Sequence, residues 1–312
     1  MAAIDRVFTP AVLAAVRSRL KQADDRMRAA YDIITAHGPP PQDHSRAWKL
    51  KCWRARRAAW EVYLDAADAC GLLDAEMIGN LRSFQPDQFR GALGEARACW
   101  YLAGKLGYHV APRPSGRRGH VLDLRAAVQG VEVDAEVKSP FVGSYDDEHA
   151  IPGLLVSKLR DSNEKFEQGR CNVLVLTPDF TLPLHRDRLA LLKAYIGQPV
   201  YIVPVALSDD ADVPGAYPSF MTDGRLARRQ HRDGQFLDPQ FTRVSAVLSI
   251  EETRYERSKE LFDLDGHVEI QHVALVVHNP FAAVPLPENT FSMVPQLVRR
   301  GDAMIWTDAA NT

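Results

Sequence analysis

The chain has 312 residues, 46% hydrophobic and 25% charged, which is ordinary globular composition with room for a large core. Its net charge is −2 and its pI about 6.6, so any nucleic-acid binding must rest on local basic patches rather than a globally basic surface. Four cysteines (Cys52, Cys70, Cys99, Cys171) without a C-x-x-C spacing argue against a zinc cluster or a disulfide framework and point to reduced thiols in a cytoplasmic setting.

The opening stretch carries Asp5, Arg6, Arg17 and Arg19 and no uninterrupted apolar segment, so no secretion signal is expected. No apolar run reaches ~18 residues, so no membrane span is expected either. Thr9 before Pro10 predicts a helix start, with a capping side chain and proline at the first helical position. Leu13, Val16, Leu20, Met27, Tyr31 and Ile34 continue at helical spacing until "HGPPP" (37–41) stops the helix. A second helix is predicted over 44–69 and a short third over 73–82. The first two suggest an antiparallel helical hairpin, and residues 1–85 a helical module offering a surface to a second copy or a protein partner. The second helix carries Arg46, Lys49, Lys51, Arg54, Arg56 and Arg57 among Trp48, Trp53 and Trp60. That face either contacts phosphates or is a solvated basic face whose tryptophans pack on the first helix.

From Gln85 the pattern changes. Residues 86–105 read as a helix with Gly107 at its end, and 108–114 as a strand. "HVLDLRAAV" and "VEVDAEVKS" read as strands separated by Gln129-Gly130. A helix follows over 154–168, then a buried strand (172–178), a helix near 184–196 and a strand over 200–207. Residues 208–242 read as an irregular insertion with a basic spot at Arg225, Arg228, Arg229 and Arg232. Strands at 243–250 and 272–280 complete the sheet. The expected class is therefore α/β, with a mixed central sheet flanked by helices over 86–312.

Gln129-Gly130 as a two-residue hairpin turn fixes the pairing by counting outward. Arg125 then faces Asp134, and Asp123 faces Glu136, with Lys138 one step further on the same face. Leu122, Leu124, Ala126, Val131, Val133, Ala135 and Val137 make the opposite, core face. Opposed carboxylates repel, and either Lys138 or a bound hard cation would offset that repulsion. A solvated surface strand is the plainer alternative, because an acid-x-Lys triplet is a short pattern. On the helix 86–105, Glu95 lies at the border of the apolar stripe Phe89, Ala92, Leu93, Ala96, Cys99, Trp100 and Ala103.

The order helix with Glu95, strand, strand with Asp123, strand with Glu136-Val137-Lys138, helix, strand resembles the PD-(D/E)xK nuclease superfamily, over roughly residues 86–178. Leu122 stands where that family often has proline. The resemblance implies a restriction-endonuclease-like fold and a Mg²⁺- or Mn²⁺-dependent nuclease, with DNA the expected substrate and endonuclease action expected. It places the metal on Asp123 and Glu136, with the Val137 carbonyl a further ligand and Glu95 acting through water or a second ion. It makes Lys138 the residue that positions water or stabilises developing negative charge. Lys158, Lys165 and Gln168 on the following helix, with Arg117 and Arg118 before Asp123, are the expected nucleic-acid contacts, with Lys165 and Gln168 alternatively orienting Lys138. Each of these five also reads as an ordinary solvated residue. So does the acidic run Asp146-Asp147-Glu148 with His149. A binding module that keeps the fold without catalysis is the competing expectation.

Overall fold

The computed structural model describes residues 1–20, 25–36, 44–128, 130–141, 150–178, 184, 188–196, 200–202, 217–219, 236, 241–256, 268–301 and 303–307. Helices come first: α1 (Ala3–Val7), α2 (Pro10–Arg19), α3 (Asp25–Ile34), α4 (His44–Ala69) and α5 (Ala75–Ser83). The Thr9 side chain caps α2 by accepting from the Val12 N–H at 3.4 Å, with Pro10 at the first position. The apolar period from Leu13 to Ile34 is carried by α2 and α3, two separate helices rather than one arm of a hairpin.

α6 (Pro86–Trp100) runs into a π-helical turn over Tyr101–Lys105, and Gly107 supplies the positive φ of 71° that turns the chain into β1 (His109–Pro112). Then come β2 (Leu124–Val128), β3 (Val131–Lys138), α7 (Ala150–Lys165), β4 (Cys171–Leu176) and α8 (Arg188–Tyr195). Strands β5 (Val200–Ile202) and β6 (Tyr217–Ser219) pair with each other, so the described part of the strand expected over 200–207 lies outside the main sheet. The rest of the expected insertion 208–242, with Arg225, Arg228, Arg229 and Arg232, falls outside the described residues except for Phe236, Phe241 and Thr242. The chain then forms β7 (Ala246–Glu256), β8 (Val268–His278), β9 (Gln296–Arg300) and β10 (Ala303–Thr307).

The main sheet is mixed and eight-stranded, in the order β1-β2-β3-β4-β7-β8-β9-β10. β3 and β4 are parallel, joined by a crossover that contains α7, and β4 and β7 are parallel as well. Two late strands were expected to complete the sheet; β9 and β10 add two more. The β2–β3 hairpin pairs as the count predicts: Val128 with Val131, Arg125 with Asp134 and Leu124 with Ala135. Gly130 has the positive φ, 81°, that the tight turn requires.

Both faces of the sheet are covered. Val133, Ala135 and Val137 pack in one cluster with Ala92, Leu93 and Ala96 of α6. That cluster continues without a break into Trp60, Tyr63, Leu64, Met27 and Ile33 of the N-terminal helices. Leu155 and Leu159 of α7, with Phe166 just beyond its end, pack on the opposite side with Leu174 and Leu176 of β4. Leu122 belongs to this second cluster, not to the face of Leu124 and Ala126. The chain leaves its strand alternation at Asp123, a bend just before β2, which accounts for the difference. The strand face bearing Asp134 and Glu136 is therefore buried beneath α7 and is not a solvated surface.

Gly94 lets α6 approach the sheet closely. A Cβ there would stand 1.9 Å from Ser139 Oγ and 2.4 Å from Thr177 Oγ1. Those two hydroxyls sit just beyond the ends of β3 and β4 and bond each other at 2.8 Å. No helix among the described residues is long and apolar enough to cross a membrane.

Candidate active site

The end of β3 brings Asp123, Glu136 and Lys138 together. Asp123 lies opposite Glu136 in the continued register, and its Oδ2 accepts the Val137 N–H at 2.7 Å. That bond seals the start of β2 onto β3 and fixes the carboxyl. Glu136 is fully buried. Its Oε1 accepts from Lys138 Nζ at 2.8 Å and from Lys165 Nζ at 2.5 Å, while its Oε2 is buried with no hydrogen-bond partner. One oxygen thus takes two ammonium groups and the other takes none.

Burial, with the charge of Glu136 added to it, pushes Asp123 up to about 6, even though the Val137 N–H and the nearby lysines pull the other way. Glu95 is driven further, to about 8, first by burial and then by Asp123, with Arg113 opposing. For Lys138, burial favours the neutral amine, but Glu136 outweighs it and the pKa is raised, so the side chain is an ammonium at neutral pH. Three carboxyls (Glu95, Asp123 and Glu136) are thus crowded together with three cations, Arg113, Lys138 and Lys165.

Arg113 was read only as a strand residue, and it enters the site. It follows β1 at a positive φ of 52°, and its N–H bonds the Asp123 carbonyl at 3.1 Å. Its guanidinium lies 3.2 Å from Glu95 Oε2, 3.5 Å from Asp123 Oδ1 and 3.7 Å from Asp74 Oδ2. The Glu95 contact has ion-pair distance without hydrogen-bond geometry, which leaves Oε2 without a formal donor. Pro112 pairs with Leu124, so carrying the β1–β2 count one step on sets Arg113 beside Asp123. Only the observed β1–β2 pairing supplies that count, since no turn signal in the sequence fixes it. Glu95, on α6, is thus linked to Asp123 through the Arg113 guanidinium.

The other expected residues separate. Lys165 is drawn inward to Glu136 instead of standing free for phosphate. α7 ends at Lys165, so Gln168 stands exposed in the following turn and not on the helical face shared by Lys158 and Lys165. Lys158 is half-buried and Arg118 exposed, while Arg117 is partly covered. The loop bearing Arg117 and Arg118 leans on the end of α7: a Cβ on Gly116 would come within 2.7 Å of the Lys165 carbonyl oxygen. Arg243, not anticipated, belongs to the same basic group; burial, and then Arg117 and Arg118, lower its pKa. Asp134, at the other end of the ladder, is held by Arg125 and Arg170, each at 2.5 Å. Asp146, Asp147, Glu148 and His149 lie outside the described residues. His278 and Asn279 are structural: His278 bonds Gln296, and Asn279 bonds the carbonyls of Phe241 and Val244.

Among the described residues no group of three or more His, Cys, Asp or Glu side chains is placed to hold a metal ion. The pair Asp123 and Glu136 with its unpartnered Oε2 is nevertheless a hard-oxygen donor set, of the kind that binds Mg²⁺ through one or two carboxylates. No protein-family model, curated protein or solved structure matches this chain.

Proposed function

We propose that this chain is a divalent-metal-dependent nuclease that hydrolyses phosphodiester bonds, with DNA as substrate, on a restriction-endonuclease-like core built from α6, β1, β2, β3, α7 and β4. The observation that carries the reading is Glu136. A fully buried carboxylate oxygen without a donor costs about 1–3 kcal/mol, and a cation shared with Asp123 would remove that cost. Mg²⁺ or Mn²⁺ would be held by Asp123 and Glu136, with the Val137 carbonyl and, through water, Glu95; once bound it supplies a Lewis acid for the phosphodiester and an acidified water.

The protein's own groups do the rest. Lys138, kept protonated by Glu136, donates to the phosphate oxygens as negative charge develops on them and does not serve as a base. Lys165, with Lys138, occupies Glu136 Oε1, so Oε2 is the oxygen that would be left to hold a cation. Arg117 and Arg118, with Arg243, form a cationic rim for the backbone of the substrate. Lys158 and Gln168 are assigned to backbone contacts further out.

A non-catalytic nucleic-acid- or partner-binding module is the second reading, and Arg113 favours it. Its guanidinium already sits between Glu95 and Asp123 and supplies positive charge there. Plasmid nicking in Mg²⁺ and in Mn²⁺ separates the two. The nuclease cleaves, and Glu136→Ala and Lys138→Ala each lower the rate by about 10²–10³-fold. Salt-dependent binding without cleavage in either ion would leave the binding module standing. Cleavage that survives both substitutions would show that the site lies elsewhere.

A further inference from the structure

Arg113 is held more firmly than a surface arginine needs to be. It stands between Pro112 and Pro114, at a positive φ of 52° that residues with a side chain rarely adopt. Its N–H bonds the Asp123 carbonyl at 3.1 Å, and the Leu122 N–H bonds the Pro114 carbonyl at 2.9 Å, so the bend is fastened on both sides to the segment that leads into β2. Backbone in such a sparsely populated region persists only where its surroundings over-determine it. Here it carries a guanidinium, with the side chain 25% exposed, toward Glu95 on α6 and Asp123 ahead of β2.

The contacts of that guanidinium differ from the other ion pairs of β3. Arg125 takes Asp134 with two nitrogens, at 2.5 and 3.1 Å, and the ammonium groups of Lys138 and Lys165 approach Glu136 to 2.8 and 2.5 Å. Arg113 does not fork onto one partner. It stands off from three carboxylates brought by different elements, at 3.2 Å from Glu95, 3.5 Å from Asp123 and 3.7 Å from Asp74 at the cap of α5. Asp123 and Asp74 each spend their other oxygen on a backbone N–H, that of Val137 and that of Met77. The oxygens that face Arg113 are the ones left over. A cation that divides its charge among several carboxylates offsets their mutual repulsion, which is the work a metal ion does at a crowded acidic site.

We propose that Arg113 is a built-in substitute for a second metal ion, and that it limits the site to one divalent cation. The proposal rests on the nuclease reading, in which Asp123 and Glu136 hold that cation. A second ion beside the first would need the Glu95 carboxylate and the remaining Asp123 oxygen, and both already face the guanidinium. Arginine suits this post, since it stays charged at neutral pH and spreads its charge over a planar fork that faces several oxygens at once. In two-ion sites the pair of ions clamps the attacking and the leaving oxygen. Arg113 supplies the second positive charge without the open coordination positions of a metal. It is a positioning residue, which keeps Glu95 and Asp123 from repelling each other out of place while the single ion lies on the Glu136 side.

Counting the Mn²⁺ ions bound by the full, metal-free chain, by electron paramagnetic resonance, tests it. The native chain should take up one ion and Arg113→Met two. Arg113→Lys should take up one, because an ammonium keeps the positive charge in place. Adding Glu95→Gln to Arg113→Met should return the count to one. Arg113→Met leaves three carboxylates facing one another, so in EDTA it should melt below the native chain, and saturating Mn²⁺ should raise its melting temperature by more than it raises the native one. Should Arg113→Met lack a cooperative melt in EDTA, refolding in Mn²⁺ keeps the test open: a melt restored by Mn²⁺ and not by sodium chloride of equal ionic strength supports the proposal, and no restoration overturns it. Two ions on the native chain, or one on a folded Arg113→Met, would overturn the proposal and leave the one-ion site at Asp123 and Glu136 standing. No ion on the native chain would overturn both.

Discussion

A glutamate without exposed surface, with two ammonium groups on one oxygen and nothing on the other, is an unusual residue to keep in a core. The period-two pattern of "DAEVKS" marks Glu136 and Lys138 directly, and the hairpin count adds Asp123, so three of the central residues can be read from the sequence. Arg113 could not be read that way, because its role depends on β1 pairing with β2, which no turn signal pins. Lys165 was visible as a basic residue, but its inward direction is set by α7 packing on β3. Glu95 is the residue whose titration reports on the crowding. Its carboxyl ionises near 4.5 when unfolded and near 8 when folded. Between those values the folded protein holds a proton that unfolding releases, so stability falls as pH rises through this window, by up to about 5 kcal/mol for this one group. In EDTA, the melting temperature of Glu95→Gln relative to the native chain should climb from pH 5 to pH 8 and level off above. Parallel melting profiles would mean that Glu95 ionises normally.

At the level of elements, the β2–β3 hairpin was legible because Gly130 fixes the turn and the buried alternation on β3 permits only one register. Strands β9 and β10 were missed, although Gly301 (φ 61°) marks their turn, because each is only five residues long and ends in exposed or polar positions. The contact of α6 with the strand ends was equally hidden, since a helical glycine reads as neutral without its neighbours. Gly94→Ala should destabilise by about 1–3 kcal/mol, because the added methyl must displace the Ser139–Thr177 hydroxyl pair or lift the helix. In a Ser139→Ala background the same substitution should cost measurably less, and a double-mutant cycle by urea unfolding reads the difference. Strict additivity would show that Ser139 is not what Gly94 accommodates.

Across the whole molecule, the N-terminal helices and the sheet share one apolar cluster. Tyr63 on α4 bonds Glu252 on β7 and His272 on β8, and Arg56 and Arg97 face the same carboxylate. The basic run on α4 is accordingly divided. Arg56 and Arg57 turn inward to Glu252 and to Asp5 and Glu61, while Lys49 and Lys51 lie over Trp53 and Trp48. Sequence composition could not show this, because inward and outward arginines look alike in a helix. Residues 86–312 expressed alone should be insoluble or lack a cooperative melt, since the removed helices cover part of the sheet; a soluble fragment melting near the native temperature would contradict this. The central claim is that Asp123 and Glu136 share one divalent cation with Lys138 alongside. Titrating the metal-free chain with Mn²⁺ and following the free-ion electron paramagnetic resonance signal tests it most directly. Mn²⁺ should be taken up at a site that Asp123→Asn and Glu136→Gln each abolish and Lys138→Ala retains. No uptake, or uptake unchanged in both carboxamide variants, would contradict the claim.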